Sequence, residues 1–374
     1  MTLKVGCPPE TLFSLMARNP YDDKSRIIEK KIYCANFGKP PPNPFFASFF
    51  SFFFPLASFL SSLFFLNTMV AALLGQVLGV ALLLILALHL VDIFARKKKD
   101  VRGKIVLITG SGSGLGRQLA LRFSKERCRL VLWDVNEEAV QKVAEECTQA
   151  GAESATAAKV DLSDRHSVRA AGEKVNKEIG DVDILVNNAG IVTGKKLQDC
   201  SEELIIKTVE VNTLALFWTT RAFLPAMLRR NSGHLVTIAS MAGLCGVNGL
   251  ADYCASKYGA VGFNESMRFE LKSQGKYGIK TTVVCPFYIN TGMFDGVATK
   301  SPNLLPILQP DYAVTKIYNA ILTDCELLIM PRFAYFLALN RAVFPVFMYD
   351  WVMNFLGVND TMDDFKGRPV AGKK

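Results

Sequence analysis

The chain has 374 residues, 50% of them hydrophobic and 21% charged, with a formal net charge of +9, so it can bury a substantial core, and disorder is excluded as its main theme. The charge is local: residues 1–39 carry an excess of +3, Arg96–Lys104 an excess of +5, and the 270 residues from Ile105 onward only +2. Without a basic stripe interleaved with aromatics, a nucleic-acid groove is excluded as the organising function. The nine cysteines are odd in number, scattered and without zinc spacing, and read as reduced thiols in a domain that holds no metal.

Residues 1–68 form an extension with a Phe-rich apolar run at 45–66, interrupted by Pro55. A second apolar run, 69–95, is rich in Leu, Val and Ala. No Lys, Arg, Asp or Glu occurs between Pro40 and Val91, which is bilayer composition, and each run is long enough to span the hydrocarbon core. Both start too far from Met1 and are too long for a cleavable signal peptide. Met69 opens the better helix, so residues 1–68 also fit an alternative amino-terminal extension. The basic flank, 96–103, places the chain from Lys104 onward on the cytosolic side by the positive-inside rule.

From Lys104 short apolar runs alternate with amphipathic ones. "KIVLIT", "RLVLWD", "ATAAKVDL", "DILVNNAG", "HLVTIAS", "KTTVVCP" and "ELLIMP" predict strands of a parallel sheet covered on both faces. "TGSGSGLG", Thr109–Gly116, comes directly after the first strand and opens a helix; Gly110, Gly114 and Gly116 permit the tight turn that brings a pyrophosphate to a helix amino terminus. A P-loop fails because Gly116 is followed by Arg117, and a hydrolase elbow fails because Gly112 stands where its Ser belongs. Asp134 ends the second strand, placed to accept hydrogen bonds from a ribose and to repel a 2′-phosphate, though a strand-terminal Asp in a turn also fits. Neither Ser113 nor Val135 is basic, which favours NAD over NADP.

"YCASK" sets Tyr253 and Lys257 one helical turn apart, where an ammonium favours phenolate and makes the phenol a usable base. Ser240 ends "HLVTIAS" at the sheet edge where such folds bind ligands. Asn212 is a polar residue on an apolar helix; capping or solvent exposure would also account for it.

In order and spacing, "TGSGSGLG", "KVDLS", "NNAG", Asn212, Ser240, "YCASK" and "PFYINT" resemble the short-chain dehydrogenase/reductase family over residues 104–331. The resemblance implies a Rossmann-type, doubly wound, seven-stranded parallel sheet and NAD as cofactor. It also implies Tyr253 as acid/base, Lys257 binding ribose and lowering the Tyr253 pKa, Ser240 polarising the carbonyl, and Asn212 holding a relay water. The cofactor would meet Gly110, Ser111, Ser113, Gly114, Leu115 and Gly116 at the pyrophosphate turn, and Asp134 at the ribose. Asp161 and Leu162 would lie at the adenine, and Asn187, Asn188, Ala189 and Gly190 would shape the cleft. Pro286, Ile289 and Thr291 would line the nicotinamide end. Phe287, where the family usually has Gly, departs from the pattern and puts the loop geometry in question.

"NNAGIVTGKK", "CPFYINTGMF" and "AILTD" are similar to the epidermal retinol and 17-beta-hydroxysteroid dehydrogenase branch. The expected activity is oxidation of a lipophilic alcohol, foremost all-trans-retinol, with steroids or fatty alcohols as alternatives. The expected site is the endoplasmic reticulum membrane or a lipid droplet, and a homodimer is left open. A nucleotide-binding scaffold without catalysis would show degenerate catalytic residues, and all four are intact. Residues 332–374 form an apolar carboxyl extension, read either as a docking helix or as a membrane-contacting segment.

Overall fold

The computed structural model describes residues 97–367 continuously, together with single residues between Met69 and Ala87. The chain divides into two compact units, Met1–Phe94 and Ala95–Lys374. The Phe-rich run lies outside the described residues, as does the remainder of the second apolar run. Its described residues are helical, and Met69, Leu73, Val77, Val80, Leu83 and Leu84 are all exposed. Among the described residues, no helix is long and apolar enough to cross a membrane.

The second unit is built on seven strands: β1 Ile105–Thr109, β2 Arg129–Asp134, β3 Ser154–Lys159, β4 Ile184–Asn187, β5 Gly233–Ile238, β6 Ile279–Pro286 and β7 Leu327–Met330. All pairs are parallel, in the order β3-β2-β1-β4-β5-β6-β7. The helices are α1 Gly114–Ser124, α2 Glu137–Gln149, α3 Arg165–Glu178, α4 Glu202–Val209, α5 Ala215–Arg230, α6 Ala251–Ser273, α7 Pro310–Leu322, α8 Ala334–Val343 and α9 Val346–Phe355.

Successive strand residues point to opposite faces, and both faces are covered. Val106, Ile108, Leu130, Leu132, Val186 and Val284 pack against Phe123, Val140 and Ile317 of α1, α2 and α7. Leu107, Val131, Trp133, Leu185 and Leu235 pack against Val168, Phe223 and Leu271 of α3, α5 and α6. This two-sided burial is why the strands read as nearly continuous apolar runs.

The basic flank serves the domain as well as any membrane. The ammonium of Lys99 bonds His234 Nδ1 at 2.6 Å and Asp324 at 2.8 Å, and its amide donates to the Leu322 carbonyl. Arg102 pairs with Asp100, and Lys104 lies 3.7 Å from Asp183. Lys97 and Lys98 remain exposed.

The carboxyl extension is neither a free tail nor one helix. Pro345 separates α8 from α9, and the pair docks through Ala334, Leu337, Met353 and Leu356. Its other face exposes Phe336, Leu339, Val343, Val346, Phe347, Trp351 and Phe355.

Candidate active site

The carboxyl ends of β1, β2, β4, β5 and β6 border a cleft of about 310 Å³, at the edge where open parallel sheets bind ligands. Gly110 lies in its floor, with Gly116 packed behind it. Gly110 has φ +64°, and a Cβ there would lie 2.7 Å from Ala189 Cα; one on Gly116 would collide with the Gly110 carbonyl. Asn188 clamps the same turn, its amide donating to the carbonyls of Thr109 at 2.9 Å and Gly110 at 3.1 Å. Ser113 is the N-cap of α1, and Ser113, Gly114 and Leu115 line the cleft, so the first turn of the helix points its dipole toward the space an anion would occupy.

Gly110, Ser113, Gly114, Leu115, Asp134, Asp161, Leu162, Asn188, Ala189, Gly190, Ser240, Tyr253, Lys257, Pro286, Ile289 and Thr291 line this cleft. Three of the residues expected around the cofactor do not, and neither does Asn212. Ser111 is fully buried, with its hydroxyl on the Trp133 carbonyl at 3.3 Å, and Gly116 is buried behind the turn, so both support the loop from within. Asn187 points into the core and accepts from Thr219 Oγ1 at 2.8 Å.

The Asp134 carboxylate accepts from the Gly112 amide at 2.8 Å and from the Asn136 amide at 3.0 Å. It therefore ties the glycine turn to β2 while facing the cleft. Asp161 accepts from Ser163 and lies 3.3 Å from Lys207 Nζ. Partial burial raises its pKa, but the Ser163 hydrogen bonds and the Lys207 charge outweigh this and hold the carboxyl below its ordinary range. Lys207, Val135, Ile191, Met293 and Phe294 also line the cleft. Sequence reasoning gave them no site role: Lys207 and Val135 stand in no quoted motif, and Ile191, Met293 and Phe294 occur only inside the stretches that mark the dehydrogenase branch.

The catalytic candidates converge from several elements. Ser240 comes after β5 and caps a short 3₁₀ turn, accepting from the Ala242 amide at 3.1 Å. Tyr253 and Lys257, both only 4% exposed, come from α6. Ser240 and Tyr253 line the cleft together, and Lys257 Nζ donates to the Ile238 carbonyl at 3.0 Å and lies 5.6 Å from the Tyr253 ring centre. Burial lowers the Lys257 ammonium to about 8. Burial also raises the Tyr253 phenol above its ordinary value. Lys257 is not among the groups that shift this phenol, and desolvation sets the direction here.

Asn212 sits in a π-helical turn, Glu210–Leu214, joining α4 to α5, where the sequence suggests unbroken helix. Its side chain is fully engaged, accepting from the Ile191 amide at 2.8 Å and donating to the Ile191 carbonyl at 2.9 Å and to Ser256 Oγ at 3.0 Å. It neither caps a helix nor faces solvent. It fixes the strand end after Gly190 to the helix carrying Tyr253.

A second, apolar cavity of about 30 Å³ adjoins the first at Ser240 and Tyr253, bounded by Phe287, Tyr288, Phe294, Leu337, Met353 and Val358. Phe287 keeps regular pairing, its amide donating to the Met330 carbonyl at 2.7 Å, so the departure from Gly leaves the loop in register and supplies an apolar wall. The arrangement offers a buried proton-exchanging pair between a dinucleotide-sized cleft and an apolar pocket, suited to hydride transfer at an alcohol carbon.

A family model described as "short chain dehydrogenase" matches residues 104–302. The chain is 50% identical over 291 residues to epidermal retinol dehydrogenase 2 of Mus musculus, covering 78% of this chain and 94% of that protein. It is 49% identical to the Homo sapiens protein of that name, covering 77% and 93%. Among solved structures, a short chain dehydrogenase/reductase from Burkholderia phymatum in complex with NAD superposes with a TM-score of 0.59 at 26% identity, covering 65% of this chain and 94% of that one. The chain belongs to the short-chain dehydrogenase/reductase family and is an oxidoreductase.

Proposed function

We propose that this enzyme is anchored in the endoplasmic reticulum membrane or on lipid droplets, faces the cytosol, and oxidises a lipophilic alcohol, foremost all-trans-retinol to retinal, preferring NAD over NADP. The observation that carries the reading is the joining of the Ser240–Tyr253 pair to an apolar pocket walled by α8 and α9, whose outer face exposes Phe347 at 72% and Trp351 at 67%. An aromatic face of this kind suits a bilayer interface. It would let a substrate dissolved in lipid reach the pocket without crossing water. The names of the relatives, retinol dehydrogenases, support the substrate.

The glycine turn and Asp134 fit a dinucleotide without a 2′-phosphate: the carboxylate faces the cleft, and neither Ser113 nor Val135 would neutralise a phosphate. When bound, NAD supplies the hydride acceptor. Ser240 orients the alcohol oxygen, and Tyr253 takes its proton. Lys257, buried beneath the ring, stabilises the phenolate that accepts this proton and becomes the phenol, while Asn212 holds α6 against the end of β4.

The test is a panel of retinol, steroids, long-chain alcohols and short soluble alcohols, each with NAD and with NADP, on membranes carrying the full chain. Retinol with NAD should give the highest kcat/KM. Efficient turnover of short alcohols without turnover of retinol would overturn the reading.

A further inference from the structure

The residues after α9 cross the substrate side of the domain as a strap. Val358 bounds the apolar cavity, Met362 is buried with Leu250, Tyr253 and Tyr288, and Thr361 Oγ1 lies 3.0 Å from the Tyr288 hydroxyl. The strap then pairs with the loop after β6. Ala298 N donates to the Thr361 carbonyl at 3.4 Å, and the amides of Lys366 and Gly367 donate to the Asp295 carbonyl at 2.8 and 3.2 Å.

The seat is shaped for this occupant. Gly194 and Gly296 both have positive φ, at +66° and +87°; a Cβ on the first would collide with the Phe365 ring and one on the second with the Asp364 carbonyl. The Phe365 ring lies tilted beside Phe294, with centroids 6.3 Å apart, and Phe294 meets the ring of Tyr253 edge-on at 5.8 Å. An aromatic chain therefore runs from the strap to the catalytic phenol.

With the strap seated, the apolar cavity beside Tyr253 holds about 30 Å³. A ligand the size of a polyene alcohol needs roughly 300 Å³ or more, so such a substrate enters only if the strap and its loop give way. No strap residue lines the cofactor cleft.

We propose that Val358–Gly367 is a gate in which Phe365 determines the size of alcohol that reaches Tyr253. This rests on the lipophilic-alcohol reading above. Shortening the Phe365 side chain lowers the work of displacing the strap, and it does so more for a bulky alcohol than for a slender one that needs less room.

The experiment uses membranes carrying the full chain as wild type, Phe365→Leu and Phe365→Ala, with NAD and either all-trans-retinol or octan-1-ol. The ratio of kcat/KM for retinol to that for octanol should rise in the order Phe, Leu, Ala, by about tenfold at Ala, with the Kd for NAD unchanged within twofold in each. If Phe365→Ala fails to bind NAD, Phe365→Leu alone decides, with a rise of about threefold expected. Equal scaling of both substrates would make the strap merely structural, and a falling ratio would make Phe365 a binding wall; either overturns the gate. A wild type that oxidises octanol but not retinol overturns the functional reading and the gate with it, which is distinct from an active wild type whose ratio the variants leave unmoved.

Discussion

Asp134 carries two tasks that the geometry separates. One carboxylate oxygen holds the Gly112 amide at 2.8 Å and the other the Asn136 amide at 3.0 Å, while the negative charge faces the cleft. Asp134→Ala removes both tasks and confounds them. Asp134→Asn keeps an acceptor for the glycine turn and removes the repulsion of a 2′-phosphate, so the kcat/KM ratio of NADP to NAD should rise by about tenfold, or about 1.4 kcal/mol. A wild type that already prefers NADP would refute the role given to this charge. Lys257 offers a second test. Burial lowers its pKa from 10.5 to about 8, so in the unfolded chain it keeps its proton to higher pH than in the folded one. Between those values the unfolded state binds more protons, and stability rises with pH. From pH 8 to 10 this should amount to about 2 kcal/mol, a relative rise in the denaturation midpoint of the cofactor-free wild type superimposed on the fall that the buried thiols Cys128, Cys147, Cys245 and Cys285, pushed up to about 12, impose on both proteins. Lys257→Met should lack that rise; a parallel pH dependence in both proteins would contradict the burial argument.

At the scale of elements, the glycine turn depends on backbone approach more than on sequence softness. A Cβ at Gly116 meets the Gly110 carbonyl, and its nearest side-chain neighbour is Asn188 Nδ2 at 2.6 Å. Gly116→Ala should therefore weaken NAD binding by tenfold or more while the denaturation midpoint falls only modestly, because the clash lies at the loop rather than within the sheet core. Equal NAD affinity would show that the turn can shift aside. On the outer face of α8 and α9, replacing Phe344 and Phe347 together by Ser should raise KM for retinol several-fold with kcat nearly unchanged, since both rings are exposed and neither lines the catalytic pocket. A fall in kcat with constant KM would point to a structural role instead.

These elements also mark how far the sequence can be read. The strands are legible because two-sided burial writes them as apolar runs: β2 coincides with its expected span, and β1 and β5 differ from theirs only at their ends. "ATAAKVDL" overruns its strand: pairing in β3 stops at Lys159, and Val160 turns its amide to the Asp134 carbonyl. The π-helical turn at Asn212 leaves no mark in hydrophobic periodicity, because one extra residue in a helix leaves local composition unchanged. The candidate catalytic triplet of Ser240, Tyr253 and Lys257, which the fold brings together, is legible from motif spacing. The strap is not, since its seat is made of two isolated glycines, Gly194 and Gly296, about a hundred residues apart in sequence, which only the fold brings to one segment.

At the scale of the whole molecule, the second apolar run should suffice as anchor. A chain beginning at Met69 should stay in the membrane fraction through an alkaline carbonate wash and keep its retinol activity; recovery in the soluble fraction would rule the run out as an anchor. Lys99, held by His234 and Asp324, ties the basic flank directly into the catalytic unit. The chemistry proposed for that unit is specific: Tyr253 takes the proton of a lipophilic alcohol while the hydride leaves its carbinol carbon for NAD. It is probed by all-trans-retinol carrying deuterium on that carbon, incubated with NAD and membranes bearing the full chain. Each retinal formed should be matched by one deuterium in reduced NAD, and Tyr253→Phe, with its NAD affinity intact, should form neither product. Retinal without label in the nicotinamide, or undiminished turnover in Tyr253→Phe, would contradict this chemistry.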